Sequence, residues 1–192
     1  YPELALAVDA NQSYTYDQLD MVAAYNDLNL LCIEEPFSMT NLTTYKAWKE
    51  SLPNWPITTS ICLDESILSY DDLSYAIECR LIDVLNVKVG RLGGLIQTRA
   101  AILRCREAGI PYWIGSMVES GISKILHVQL AALGDTYMAG DLSDSSRYFE
   151  HDLINPAILF TDGSMQVPNG AGLGVDVLDN RIEEYTVEKR TL

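Results

Sequence analysis

The sequence is short of positive charge. Lys and Arg number 13 against 27 Asp and Glu, leaving a formal net charge of −14 at pH 7. Nucleic-acid backbones and anionic membrane surfaces are both held by clustered cations, so neither is expected as a partner. Long apolar runs are missing too. No stretch reaches the ~18 residues of a membrane span, and no basic segment followed by an apolar one opens the chain. Cysteine is scattered: Cys32, Cys62, Cys79 and Cys105 form no C-x-x-C pair. That spacing argues against zinc or a disulfide framework, and reads instead as buried free thiols in a reducing cytoplasm.

What remains is an ordinary globular balance, 48% hydrophobic and 21% charged over 192 residues. A chain of that length buries roughly 70% of its unfolded surface. Its acidic excess is compatible with a divalent cation.

Short apolar runs recur along the chain: Leu4–Val8, Leu30–Ile33, Ile61–Leu63, Val84–Val87, Tyr112–Ile114 and the weaker Tyr137–Ala139. Their length and β-branched content predict buried strands. Between them the pattern predicts helices over Asp17–Asn26, Thr43–Leu52, Asp71–Cys79, Gln97–Ala108 and Ser123–Leu133. Gly109 followed by Ile110-Pro111 stops the fourth of these, and Gly134 stops the last. Strand and helix in alternation imply an α/β fold with a parallel sheet and helical crossovers. An open doubly wound sheet and part of a (β/α)8 barrel both fit, although a whole barrel usually needs ~250 residues.

The chemistry lies in what ends each run. Asp9 closes the first strand, Glu34 the second, Asp64 the third and Lys88 the fourth, at intervals of 25, 30 and 24 residues. Strand C-termini of a parallel α/β fold share one face. Three carboxylates brought together there repel one another unless a cation separates them. Oxygen-only donors suit Mg2+, or Mn2+, rather than zinc. The alternative is that each acid caps the turn or helix that follows it. Lys88 has two readings of equal weight: a base beside the metal, or a salt bridge closing the acidic cluster. A metal with a lysine suits abstraction of a proton next to a carboxylate, the ion stabilising the enediolate that forms.

Asp9-Ala-Asn11, Glu34-Glu35-Pro36, Asp64-Glu65-Ser66 and Lys88-Val-Gly-Arg-Leu-Gly-Gly94 resemble the barrel motifs of the enolase superfamily, and its muconate-lactonizing subgroup in particular. Met117-Val-Glu119-Ser-Gly-Ile122, with Gly140-Asp141 and Ser145-Ser-Arg147-Tyr, is similar to the o-succinylbenzoate synthase / N-acylamino acid racemase family. The resemblance runs from about Leu4 to Val177. It implies a partial TIM-type (β/α)7β barrel, strands 3 to 8, without the capping domain and first strands. Residues 1–161 would form the barrel part, and 162–192 would complete it and return toward the capping domain.

The resemblance also implies Mg2+ on Asp9, Glu34 and Asp64, with Lys88 as a base or cationic stabiliser. Asn11, Gly115, Ser116, Met117, Glu119 and Asp141 would face a small carboxylic acid substrate. The synthase dehydrates a cyclohexadiene carboxylate on the route to menaquinone, and several relatives racemise N-succinylamino acids. A histidine base on the seventh strand, as in mandelate-racemase-like members, is lacking, since neither His127 nor His151 lies in Tyr112–Met117. Asp141-Leu-Ser143 departs from the Asp-x-Asp of dipeptide epimerases. Ser116 stands where the family usually has Gly, and Glu35 where many relatives have Gln.

The family's Lys-x-Lys motif belongs to a strand upstream of Asp9, outside this sequence. The resemblance therefore implies the C-terminal part of an enzyme, associating with its other part or with further copies of itself. Two rival readings are another cycloisomerase or epimerase of the superfamily, and a catalytically silent metal-binding or assembly fragment. The ligand assignment predicts that Asp64→Asn abolishes Mg2+-induced thermal stabilisation while the metal-free fold stays largely intact. Equal Mg2+ responses in mutant and parent would contradict it.

Overall fold

A computed structural model describes residues 3–190. The chain forms two compact units, parting between Trp113 and Ile114.

The first unit is built on a parallel sheet. β1 (Val8–Asp9), β2 (Ile33–Glu34), β3 (Ile61–Leu63), β4 (Val84–Val87) and β5 (Tyr112–Ile114) lie in chain order across it. Each is short, and the ladder extends past the strand ends. Val8 N–H donates to Cys32 O at 3.3 Å and Ala10 N–H to Glu34 O at 3.0 Å. Ile33, Ile61, Leu63, Leu85 and Val87 are buried. By strand alternation they share the face opposite Glu34, Cys62 and Asn86, and supply the apolar layer for the crossover helices.

Those helices are α1 (Leu19–Ala23), α2 (Leu42–Ser51), α3 (Tyr70–Glu78) and α4 (Leu95–Ala108). Asn41 caps α2 by accepting from Thr44 N at 2.8 Å, and Ser69 caps α3 by accepting from Asp72 N at 3.1 Å. α4 ends at Gly109, whose φ of 69° is the left-handed C-cap that favours glycine. The helix predicted over Asp17–Asn26 is a correction: only Leu19–Ala23 is α-helical, between 3-10 turns at Tyr16–Gln18 and Ala24–Leu28. Val22 is its one buried residue, too little packing to hold a longer regular helix. Phe37 and Tyr45, both fully buried, join Tyr16, Trp48 and Trp55 in an aromatic cluster beneath α2. Tyr16 stacks on Trp48 with centroids 4.1 Å apart.

The second unit carries α5 (Gly121–Ala131), an antiparallel pair of β6 (Ile154–Asn155) with β9 (Asp176–Val177), a hairpin of β7 (Phe160–Thr161) and β8 (Ser164–Met165), and α6 (Asp179–Tyr185). Ile125, Val128, Ile154 and Ile158 form its core. Gly121 is dictated by close approach, since a Cβ there would lie 2.5 Å from the Ile154 side chain. The strand predicted at Tyr137–Ala139 does not form. A single backbone bond, Asp141 N–H to Ile114 O at 3.2 Å, runs alongside β5. One bond is no ladder, so among the described residues the sheet has five parallel strands rather than six. All four cysteines are free; Cys32, Cys62 and Cys105 are buried as expected, whereas Cys79, at the end of α3, is only partly buried.

Candidate active site at the strand ends

Register places the side chains. Asp9 stands level with Glu34, Glu34 with Cys62, and Cys62 with Val84. Residues level across parallel strands share a face, as do residues two apart on one strand. Asp9, Glu34, Asp64, Asn86 and Lys88 therefore all lie on one face, around the C-terminal strand ends. Asn41 and Ser69, not Glu34 and Asp64, cap the helices α2 and α3. Asp9 does serve a local turn, accepting from Asn11 N at 2.9 Å.

Glu34 is buried, and its Oε1 accepts from Asn86 Nδ2 at 2.7 Å. Burial pushes this carboxyl up to about 7; the Asn86 bond and Lys88 pull against the rise, while Asp9 adds to it. Asp64 is also buried but is fully compensated. Lys88 Nζ donates to its Oδ2, and Arg91 Nη1 pairs with its Oδ1. Arg91 further donates from Nε to Ile67 O at 2.9 Å and from Nη2 to Asn86 O. Lys88 thus makes a salt bridge to the acidic cluster.

Glu35 is fully buried behind the site, its two oxygens accepting from Ser66 N at 2.7 Å and Ser66 Oγ at 3.0 Å. Burial pushes it up to about 7 as well, against the pull of those two bonds. Its φ of 36° is left-handed, as are those of Asn11 at 45° and Gln12 at 58°. Gln12 N–H donates to Glu35 O at 2.7 Å, tying the turn after β1 to the turn after β2. Non-glycine residues in that region cost of order 1–3 kcal/mol each, and such strain gathers at functional sites.

Among the described residues, no three His, Cys, Asp or Glu side chains are gathered closely enough to hold a metal ion. In kind, however, the donors suit a hard divalent cation. They are all carboxylates, Glu34 has an amide rather than a cation as its hydrogen-bond partner, and Asn86 Oδ1 is buried without a hydrogen-bond partner.

In the second unit, Gly115 is buried and Ser116 Oγ donates to Asp141 O at 2.7 Å. Met117 is exposed, and its N–H donates to Glu119 Oε1 at 3.1 Å. Glu119 also meets His127 Nδ1 at 3.0 Å and Ser123 Oγ. Burial would raise this carboxyl, but the bonds from His127, Ser123 and Met117 outweigh it and hold it below the usual range. The structure thus brings Ser116 to Asp141, and Met117 to Glu119.

Sequence reasoning gave no site role to Asn86, Arg91, Ser66 or His127. Asn86 had a signal, being a polar residue inside the apolar run Val84–Val87 and two residues from Lys88.

The enolase C-terminal domain-like family matches residues 1–181. The chain belongs to that family. The o-succinylbenzoate synthase of Geobacillus stearothermophilus is 35% identical over 186 residues, 97% of this chain and 48% of that protein. The N-succinylamino acid racemase of Thermus thermophilus is 35% identical over 190 residues, 99% of this chain and 50% of that one. The crystal structure of an unknown member of the enolase superfamily from Enterococcus faecalis V583 superposes with a TM-score of 0.85. It is 31% identical and is matched over 96% of this chain and 49% of its own. This enolase-family chain thus spans about half the length of the relatives it matches.

The ion pairs on Asp64 correct one expectation. Asparagine at this position would leave Lys88 and Arg91 without their carboxylate, and breaking a buried pair costs about 3–5 kcal/mol. The metal-free fold of Asp64→Asn should therefore be weakened, not intact.

The two raised carboxyls predict a pH dependence. Their unfolded pKa is about 4.3 and their folded value about 7, so the folded state binds the extra protons in between. The stability this lends is complete below about pH 4.3 and is lost as pH rises through about 7. Urea denaturation of the metal-free protein should show a loss between pH 5 and pH 8 of at most about 3 kcal/mol per carboxyl. Glu35→Gln should remove one share; an identical pH slope in mutant and parent would contradict the assignment.

Proposed function

We propose that the protein abstracts a proton next to a substrate carboxylate with the help of Mg2+, as an o-succinylbenzoate synthase or an N-succinylamino acid racemase. The observation that carries this reading is the shared face of Asp9, Glu34, Asp64 and Lys88 at consecutive strand ends, in a chain 34–35% identical to enzymes bearing those two names. Asp9, Glu34 and Asp64 would hold the cation, with Mn2+ as the alternative ion. When bound, it supplies positive charge for the negative charge that proton loss leaves on the substrate.

The chain's own residues do the rest. Lys88 Nζ, on a partly exposed side chain, takes the α-proton or steadies the enediolate as a cation. Glu35 and Ser66 fix the loop that carries Asp64. Asn11, Gly115, Ser116, Met117, Glu119 and Asp141 are proposed to contact the substrate. The relatives' other half is proposed to join this one, as part of the same assembly or through further copies. A cytoplasmic setting accords with free, mostly buried thiols and with the absence of any described helix long and apolar enough to cross a membrane.

The test is α-proton exchange of each enantiomer of an N-succinylamino acid in D2O, followed by NMR with and without Mg2+. Exchange that requires Mg2+ and disappears in Lys88→Ala is the expected result. Exchange that persists in Lys88→Ala, or that ignores Mg2+, would contradict the roles of Lys88 and of the cation.

A further inference from the structure

Asp64 carries two cations of the chain's own, and they are not equivalent. Arg91 is held at three points: Asp64 Oδ1, the Ile67 carbonyl in the loop after β3, and the Asn86 carbonyl within β4. Its side chain is only 7% exposed, and moving it would strand two carbonyls and a buried carboxylate together. Lys88 holds Oδ2 by one contact, at the end of a flexible four-carbon stem, with 17% of its side chain exposed. The strand-end carboxylates are not compensated alike. Asp64, the most fully compensated of them, is neutralised from within, whereas Glu34 has only an amide on its Oε1.

We infer that Lys88 is a displaceable counter-ion: a divalent cation that binds Asp64 takes the oxygen held by Lys88 Nζ and frees the ammonium, while Arg91 keeps the carboxylate in place. The inference rests on the metal reading above and adds a coupling to it. A dication and an ammonium cannot share one carboxylate oxygen at bonding range without strong repulsion. Coupling of this kind is reciprocal, so whatever strengthens the Lys88 contact weakens the ion, and the reverse. In consequence the amine becomes available to a substrate only once the cation is in place. Arg91 is then a positioning residue, acting through Asp64 and not on the substrate.

Calorimetric titration of MgCl2 into the full chain tests this with three proteins: parent, Lys88→Met and Lys88→Arg. Lys88→Met, similar in length but uncharged, should bind Mg2+ on the order of tenfold more tightly than the parent. Lys88→Arg, which keeps the charge, should stay near the parent. In the parent itself, reductive methylation of Lys88 followed by mass spectrometry should run faster with Mg2+ than without, a readout that needs no variant to fold. Equal or weaker binding by Lys88→Met, or labelling indifferent to bound Mg2+, would overturn the coupling and leave the metal reading standing. Absence of Mg2+ binding in all three folded proteins would remove the metal reading and the coupling with it.

Discussion

The buried carboxylate of Asp64, shared between Lys88 and Arg91, ties the ends of the third and fourth strands into one piece. Lys88 and Arg91 both come from the end of β4 and the turn beyond it, and Asp64 from the end of β3. Parallel pairing in register sets the level of each strand, and the ion pairs lock the loops that follow. A one-residue slip in any pair would turn its carboxylate to the opposite, apolar face, where an unpaired charge could not be tolerated. The apolar residues of that face and the charged residues of this one thus specify the same register twice.

Two solutions to buried negative charge stand side by side at these strand ends. Asp64 is compensated by cations, and removing its charge would leave those cations exposed to the same penalty. Glu34 and Glu35 are bonded by neutral donors instead, and burial holds both near a pKa of 7. A chain with a net charge of −14 has few cations to spend, and it concentrates two of them on one carboxylate. That leaves Glu34 as the member of the set most in need of positive charge from outside the chain.

Much of this was legible in the sequence because strand ends announce themselves. An apolar run closing in Asp, Glu, Asp and then Lys gave both the parallel sheet and the four side chains at its edge. The motifs around Asn11, Pro36, Ser66 and Gly94 led to the family that residues 1–181 match. Three features were not legible. Tyr137–Ala139 reads as a strand but makes no ladder, because pairing depends on neighbours rather than on composition. Asp17–Asn26 has helical periodicity but only Val22 to bury. Arg91 looks like a turn residue in Lys-Val-Gly-Arg, and nothing local says that its guanidinium returns to Asp64 and Asn86.

The central claim is that these strand-end side chains form one cation-binding site whose lysine gives way to the ion. The most direct measurement is a crystal structure of the full chain grown with saturating Mg2+. The expected result is an ion about 2.1 Å from oxygens of Asp9, Glu34 and Asp64, with Lys88 Nζ moved off Asp64 and Arg91 still in place. An ion bound elsewhere, or Lys88 still seated on Asp64 with no ion among the three carboxylates, would contradict it.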